Sequence, residues 1–212
     1  KALVDDIRDD RPGGSLETNL TGVTPDLMDT VDRMYTDFPK MLIYVAITTY
    51  IALFWLFRSV FLPLKAVIMN VMSILASFGA LVFVFQQGHF ADLMGFTAEG
   101  FTEASVPILL FAIVFGLSMD YEVFLLSRVK EEYDATGDNT ASVATGMERS
   151  GRIITSSALI LILVAAGFGT GDILIVKALG FGTALAIFID STVVRALLVP
   201  ALMKVMSGLN WW

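Results

Sequence analysis

The sequence predicts an all-α integral membrane protein with five transmembrane helices behind a short polar segment. Of the 212 residues, 56% are apolar and only 17% are charged, which is too apolar for a soluble domain and typical of a bundle of membrane helices. Crossing a hydrocarbon core of about 30 Å takes about 20 helical residues. Five apolar stretches meet that requirement, at residues 41–57, 66–87, 106–127, 153–170 and 174–203.

Composition and charge argue against several functions. The net charge is −7, and residues 1–39 hold nine acids against four bases, so five of the seven net negative charges lie in the polar segment. This balance argues against nucleic acid as a partner. Without Cys and with a single histidine, His89, the chain offers no disulfide and no metal site. It also lacks a nucleotide-binding Gly-Lys-Ser/Thr loop and a paired nucleophile and base, so we expect neither an enzyme nor catalytic residues.

The first helix is predicted to begin inside the polar segment. In "GVTPDLMDTVDRMY", Thr24 fits the N-cap, Pro25 the first helical position and Asp26 the first turn. The helix then feeds the first span, and Pro39 allows a kink before the membrane.

Lysine and arginine residues predict the orientation of the spans. The loop 88–105 has neither and carries Asp92, Glu99 and Glu103. The basic residues lie on the other side of the membrane from that loop, at the opposite ends of the spans. They are Arg58, Lys65, Arg128, Lys130, Arg149, Arg152 and Lys204. The positive-inside rule then predicts an N-terminal segment outside and a cytoplasmic C-terminus. Because the acidic N-terminal segment must cross the membrane and the chain starts at Lys, we expect a longer protein with at least one upstream span.

The third span carries ionisable groups, in "FGLSMDYEVFLLSR". Asp120 lies about 21 Å along the helix from Val106 and about 12 Å from Arg128. An ionised Asp at such a depth costs about 2.5–3.5 kcal/mol on insertion scales, so it needs a polar partner, water or a proton. Asp120 is therefore either a group that loads and releases protons or a structural acid hydrogen-bonded between helices.

The neighbours of Asp120 face different directions. Tyr121 is about 100° further round the helix, where it would reach a neighbouring helix or the same water cluster. Glu122 points toward the opposite side from Asp120. Ala112 and Gly116 precede Asp120 at intervals of four residues, a stripe that lets another helix approach the face carrying the acid.

Other polar residues lie within or beside the later spans. Asp190 is a second deep acid, and we leave open whether it is structural or functional. Arg195 follows five residues later, about 140° round an α-helix, so we expect an imperfect pair and an Arg195 that snorkels to the inner end. Lys177 is expected to snorkel at the outer end. Ser156, with its neighbouring hydroxyls, can bond across helices or to its own backbone.

The loop 128–152 between the third and fourth spans is predicted to break at Gly137. A short helix restarts there with Asp138 or Asn139 as N-cap, and Val143 and Met147 line one face of it. That helix either lies on the membrane surface or simply connects the two spans.

Several motifs resemble the C-terminal half of MmpL-type transporters of the RND superfamily. They are "GLSMDYEVFLLSR", "EEYDATGDNTASVATGMERSGRIITSSALI", "IDSTVVRALLVPALM", the terminal "LNWW", "FRSVFLPLKAVIMNVMSILASFG" and "GFTAEGFTEASVPILLFAIVFGLSMDYE". Together they cover nearly the whole chain.

The resemblance implies a proton-driven exporter of lipids or lipophilic compounds, with twelve spans in two repeats. It implies that Asp120 and Tyr121 belong to the proton relay, and Glu122 fits the second-half version of the motif. Asp190 and Ser156 are further candidates for supporting the relay.

The resemblance also implies the organisation and setting of the chain. Residues 1–39 would be the end of an extracytoplasmic α+β porter domain, its last strand and exit helix, and residues 40–212 a five-helix RND-type half-repeat. The expected setting is the bacterial cytoplasmic membrane. The expected partners are the lipid bilayer, a lipophilic substrate and a missing N-terminal half or partner chain, with the proton-motive force in place of any cofactor. The alternative is a non-transporting scaffold or accessory subunit that retains this fold in a larger membrane complex.

Overall fold

The computed structural model describes residues 22–98 and 100–211, together with Val4, and within them the regular elements are helices. The strand predicted near the N-terminus and the acidic Glu99 of the loop 88–105 lie outside the described residues. The α-helices are α1 (Val23–Phe57), α2 (Phe61–Leu81), α3 (Ala91–Met94), α4 (Ser105–Thr136), α5 (Asn139–Phe168), α6 (Leu174–Ile189) and α7 (Val199–Met206). Two π-helical segments, Val82–Gln86 and Asp190–Leu198, and a 3₁₀ segment, Ser207–Trp211, extend α2, α6 and α7.

The described chain has five candidate membrane-spanning helices, the number that the sequence predicted. Five helical stretches of the described chain are long and apolar enough to cross a membrane, at Val23–Phe57, Phe61–Gln86, Ser105–Thr136, Asn139–Phe168 and Leu174–Trp211. Each is longer than its apolar core, because regular hydrogen bonding continues into polar sequence at the ends. At 1.5 Å per residue, the 32 residues of α4 extend about 48 Å, well beyond a hydrocarbon core of about 30 Å.

The chain divides into two compact units, Lys1–Tyr44 and Val45–Trp212. The described part of the first unit is chiefly the N-terminal portion of α1. That helix begins at Val23, before the predicted N-cap Thr24, and its first turn contains Asp26 as expected. The backbone N–H of Asp26 donates to the carbonyl of Gly22 at 3.0 Å, which accounts for the earlier start. Pro39 lies inside α1 without ending it.

In the second unit, α4 and α5 form a tight helical hairpin. α4 ends at Gly137, whose φ of +70° is the left-handed conformation that glycine adopts readily. The Asp138 carboxylate then caps α5 by accepting from the backbone N–H groups of Thr140 at 2.8 Å and Ala141 at 3.1 Å. The predicted break and cap are thus present. The helix that follows is not a separate surface element, because α5 continues to Phe168 without a break.

Small residues bring the later helices close together. A Cβ on Gly180 of α6 would lie 2.6 Å from the carbonyl oxygen of Ala165 in α5, so the two backbones meet there. At the α4–α5 contact, a Cβ on Gly146 would lie 2.5 Å from Cγ2 of Val129. The largest fully buried side chains of the unit include Leu62, Leu81, Leu110, Leu125, Leu126 and Met203. The core therefore lies between α2, α4 and the last span.

One end of this unit carries Arg58, Lys130 and Lys204, and we call it the basic end. The C-terminal clasp (Ser207–Trp211) closes it. The side-chain amide of the fully buried Asn210 donates to the backbone carbonyl of Met203 at 2.6 Å, and the backbone carbonyl of Asn210 accepts from the Ser59 hydroxyl at 2.7 Å. Trp211 stacks on Tyr133 with ring centroids 4.0 Å apart. The clasp joins the start of α2, the α4–α5 hairpin and the end of the last span.

Lys177 marks the opposite end. Its ammonium donates to the carbonyl of Met94 at 2.6 Å, at the end of the short helix α3. The side chain is buried by this contact and does not extend past the helix end as a snorkelling lysine would.

Candidate functional site

Asp120 lies on an open face of α4. Its side chain is exposed in the described chain, and so are Ala112 and Gly116 at intervals of four residues along the same helix. A Cβ on Gly116 would meet no atom within 4 Å. The small-residue stripe predicted from the sequence is therefore present, with the acid in line with it, and the described helices leave it uncovered.

Tyr121 turns from that face toward the last span. It is partly buried, and the guanidinium carbon of Arg195 lies 5.4 Å from the centre of its ring. The expectation that Tyr121 would reach a neighbouring helix agrees with this geometry. The contact is between a cation and an aromatic face, a favourable interaction within about 6 Å.

Asp190 and Arg195 form a buried ion pair, which corrects the sequence-based expectation. The Nε–H of Arg195 donates to Oδ2 of Asp190 at 2.7 Å, and both side chains are at least nine-tenths buried. Residues 190–198 are π-helical, and a π-helix closes its hydrogen bonds between residues five apart. That winding brings residues 190 and 195 to nearly the same face. The expected imperfect pair and the expected snorkelling of Arg195 are both wrong.

Side chains from two other helices complete this ion pair. The Ser73 hydroxyl of α2 donates to Oδ1 of Asp190 at 3.2 Å. On α4, both the hydroxyl and the backbone carbonyl of Ser118 accept from Nη2 of Arg195, the hydroxyl at 3.1 Å. Asp190 and Arg195 thus tie α2, α4 and the last span together at one point, beside Tyr121.

Glu122 is buried on the inner side of α4, away from the exposed Asp120, as its place on the helix predicted. Its carboxylate interacts electrostatically with Arg195, Asp190 and Lys65. Ser156, the remaining candidate, is exposed on α5, and no hydrogen bond joins it to the other candidates among the described residues. The structure therefore brings together Tyr121, Glu122 and Asp190 but leaves Ser156 apart.

Sequence reasoning missed the contribution of α2. Lys65, Asn70, Ser73 and Ser77 are all buried, although α2 reads as an apolar span. The signal was available, because these polar residues follow one another at intervals of five, three and four residues and so lie on one side of the helix. From the sequence, Lys65 is only one of the basic residues that indicate the orientation of the spans.

Within the described part of the chain, no group of three or more His, Cys, Asp or Glu side chains could hold a metal ion. The single histidine, His89, is stacked on the ring of Phe83 with centroids 3.9 Å apart, beyond the end of α2. The described side chains on α4 and the last span instead bring carboxyl groups and a phenol together with a guanidinium within one bundle, and carboxyl groups within a span often mark proton or ion pathways.

Comparisons with known proteins give the same family as the motifs. The MMPL family matches residues 1–212. The chain is 43% identical over 202 residues to the heme uptake protein MmpL11 of Mycobacterium tuberculosis, covering 95% of the chain and 21% of that protein. It is 41% identical over 215 residues to the mycolic acid-containing lipids exporter MmpL11 of Mycolicibacterium smegmatis, covering 100% and 22%. It is 39% identical over 196 residues to the trehalose monomycolate exporter MmpL3 of Mycobacterium tuberculosis, covering 92% and 21%.

The chain spans about a fifth of the length of these relatives. These relatives are named as exporters or as an uptake protein. The family match covers the whole chain, and the five apolar helices agree with it. This multi-pass membrane chain belongs to the MMPL family.

Proposed function

We propose that this chain is part of a proton-driven exporter of lipids or lipophilic compounds, in which Asp120 and Tyr121 form part of the proton relay. The proton-motive force supplies about 2.3 kcal/mol per charge for each 100 mV. A protein can use that energy only through groups that gain and lose charge within the membrane field. Among the described residues, Asp120 is the acid that combines depth in a span with an exposed helix face.

The single observation that carries the proposal is the setting of Asp120 on α4. The acid is exposed on the described helices, in line with Ala112 and Gly116, and Tyr121 beside it faces Arg195. Facing lipid, an ionised Asp would cost about 2.5–3.5 kcal/mol. We infer that another part of the complete protein, a further transmembrane repeat, packs on this stripe and shares the proton with Asp120.

The substrate class rests on the relatives. Two are named as exporters of lipids, a mycolic acid-containing lipid and trehalose monomycolate, and one as a heme uptake protein. All three cargoes have a large apolar part. We propose a lipid for this protein, with residues 1–39 as the end of a porter domain outside the cytoplasmic membrane and residues 40–212 as a transmembrane domain that works with the rest of the transporter.

The test is Asp120→Asn in the complete native protein, made in cells that lack the wild-type gene. The change preserves the shape and hydrogen bonding of the side chain while removing its titration, so insertion should be normal and export should be lost. The measurement is the amount of radiolabelled lipid that reaches the cell surface at matched membrane abundance. Asp172→Asn, an exposed acid between the last two spans, is the matched control and should export normally.

Two outcomes would contradict the proposal. Wild-type export by the Asp120→Asn protein would make Asp120 a structural acid. If cells lacking the gene have unchanged surface lipid but reduced heme uptake, the cargo is heme and not a lipid. The Asp120→Asn variant is then measured for heme uptake.

A further inference from the structure

A row of buried polar side chains follows the inner face of α2. We call Lys65, Asn70, Ser73 and Ser77 the polar seam; the helix around them is otherwise apolar, and each of the four is at most 5% exposed. Lys65 lies four residues, or about 6 Å, along α2 from its first residue, Phe61, at the basic end. Ser73 is about 12 Å further along the helix and bonds to Asp190. The seam therefore runs from the basic end to the Asp190–Arg195 pair.

Lys65 and Glu122 are buried in this part of the core and interact electrostatically. They are 5% and 4% exposed. Neither Nζ of Lys65 nor Oε1 of Glu122 has a hydrogen-bond partner among the described residues, and the amide of Asn70 also lacks one. This contrasts with Asp190 and Arg195, which are joined by a direct bond and held by two serines.

A buried charge without hydrogen bonds is costly, and apolar residues of similar volume would often be as stable or more so. For the carboxyl group, a bound proton removes the penalty of burying a charge, and a nearby ammonium reduces that penalty while the group is ionised. The ammonium in turn is compensated only while the carboxylate is charged. In a pair joined by direct hydrogen bonds, those bonds stabilise the charged forms of both groups and so oppose protonation of the carboxylate. The loose pair is therefore suited to changing its protonation state, whereas the Asp190–Arg195 pair is suited to remaining charged.

We propose that Lys65 and Glu122 form a second proton-binding site in this transporter, in which Glu122 takes up and releases the proton and Lys65 supplies the counter-charge while Glu122 is ionised. In the loading step, the carboxylate of Glu122 accepts a proton that enters from water at the basic end along the polar seam. This inference rests on the proposed function for its role in transport, although the site itself can be tested without any transport measurement.

The charged groups around Glu122 link this site to the relay. Lys65 approaches from α2, and Asp190 and Arg195 from the last span; α5 contributes no charged group to the interactions of Glu122 in the described chain. Arg195 in turn lies over Tyr121, which is adjacent to Asp120. Neutralising Glu122 removes a negative charge that attracts Arg195. Protonation of Glu122 therefore changes the electrostatic force on the Arg195 guanidinium, and through it the contact with Tyr121.

Infrared difference spectroscopy of the purified native protein tests the site directly. Spectra recorded at two pH values show a carbonyl band for each carboxyl group that gains a proton between them. We expect Glu122→Gln to remove one such band from the buried, weakly hydrogen-bonded region of the spectrum. Glu148→Gln, an exposed acid of α5, should leave that band in place.

Variants of Lys65 test the counter-charge. Lys65→Met removes a positive charge beside Glu122, so the band should persist to a pH about 1–3 units higher than in the wild type. Lys65→Arg keeps the charge and should restore a titration close to that of the wild type. Lys204→Met, an exposed lysine near the end of α7, should change nothing. If Lys65→Met lowers the yield of folded protein, Lys65→Gln supports the same comparison.

The outcomes separate this proposal from the proposed function. A spectrum unchanged by Glu122→Gln, or a band that does not respond to pH, would overturn the second proton site. A Glu122 band unaffected by Lys65→Met and Lys65→Gln would overturn the role of Lys65. If instead the band behaves as expected while Asp120→Asn protein exports normally, the relay at Asp120 fails and the site at Glu122 stands.

Discussion

Arg195 is held by three kinds of contact, each from a different residue type. It forms an ion pair with Asp190, donates hydrogen bonds to Ser118 and lies over the ring of Tyr121. A guanidinium can make all three at once because it is planar and carries five N–H donors. A lysine in this place would supply the charge but not the geometry.

We expect Arg195→Met to lower the free energy of unfolding by about 3–5 kcal/mol, because it leaves the buried Asp190 carboxylate without its partner. The double variant Asp190→Asn with Arg195→Met should lose less than the sum of the two single variants, since both remove the same interaction. Equilibrium unfolding in mixed detergent measures these values. Arg128→Met, which breaks an exposed ion pair with Glu131, is the control and should cost less than about 1 kcal/mol. Strict additivity would show that the buried pair is not coupled.

At the scale of elements, the π-helical winding of residues 190–198 decides which side chains meet. An α-helix with the same sequence would direct Asp190 and Arg195 about 140° apart, whereas the π-helix places them for a 2.7 Å contact. Sequence periodicity assumes a constant 3.6 residues per turn, so it could not predict this pair. The local signals did predict the break at Gly137 and an N-cap at Asp138 or Asn139, of which Asp138 is the cap in the structure.

Helix approach at Gly180 provides the test at this scale. Gly180→Ala should lower the free energy of unfolding by about 1–3 kcal/mol, because the new Cβ would lie 2.6 Å from the carbonyl of Ala165 and the backbones of α5 and α6 would have to separate. Gly167→Ala on α5 is the matched control: no atom lies within 4 Å of its Cβ position, so we expect no loss. Thermal unfolding of the two purified variants gives the comparison. Equal midpoints would mean that the close approach does not contribute to stability.

Across the whole molecule, apolar side chains cover the outside of the bundle as well as its core. Leu159, Ile160, Leu163 and Val164 all remain exposed on α5. In water such a surface would aggregate, but in a bilayer it contacts lipid tails without cost. Hydropathy therefore predicted the number of spans well and could not predict which faces are inside, since both sides of a span are apolar.

The orientation of the bundle can be tested by cysteine labelling, because the chain contains no Cys. Leu93 and Thr140 are exposed at opposite ends of α4, in α3 and in the first turn of α5. From the distribution of Lys and Arg, Leu93→Cys should react with an impermeant thiol reagent added to intact cells. Thr140→Cys should react only after the cells are permeabilised. Labelling in the reverse order would invert the proposed topology and the direction of the relay.

The candidate site was only partly predictable from the sequence, for reasons visible in particular residues. Asp120 was identifiable because a charge in an apolar run is conspicuous. The burial of Lys65 was not, because a lysine near a helix end ordinarily reaches water, and only the folded structure shows that this one is buried and interacts electrostatically with Glu122. Long-range contacts of this kind depend on packing, which periodicity within one helix does not encode.

The C-terminal clasp has a consequence for the order in which the protein is assembled. The bond from Ser59 to the carbonyl of Asn210 joins residues 151 positions apart, and Asn139 is 71 positions from the same asparagine. During synthesis, the start of α2 and the α4–α5 hairpin enter the membrane before their polar partner has been translated. The basic end therefore stays unsealed until the last span is inserted, and a ribosome that stalls within that span leaves a nascent bundle with its polar groups open to water and to chaperones.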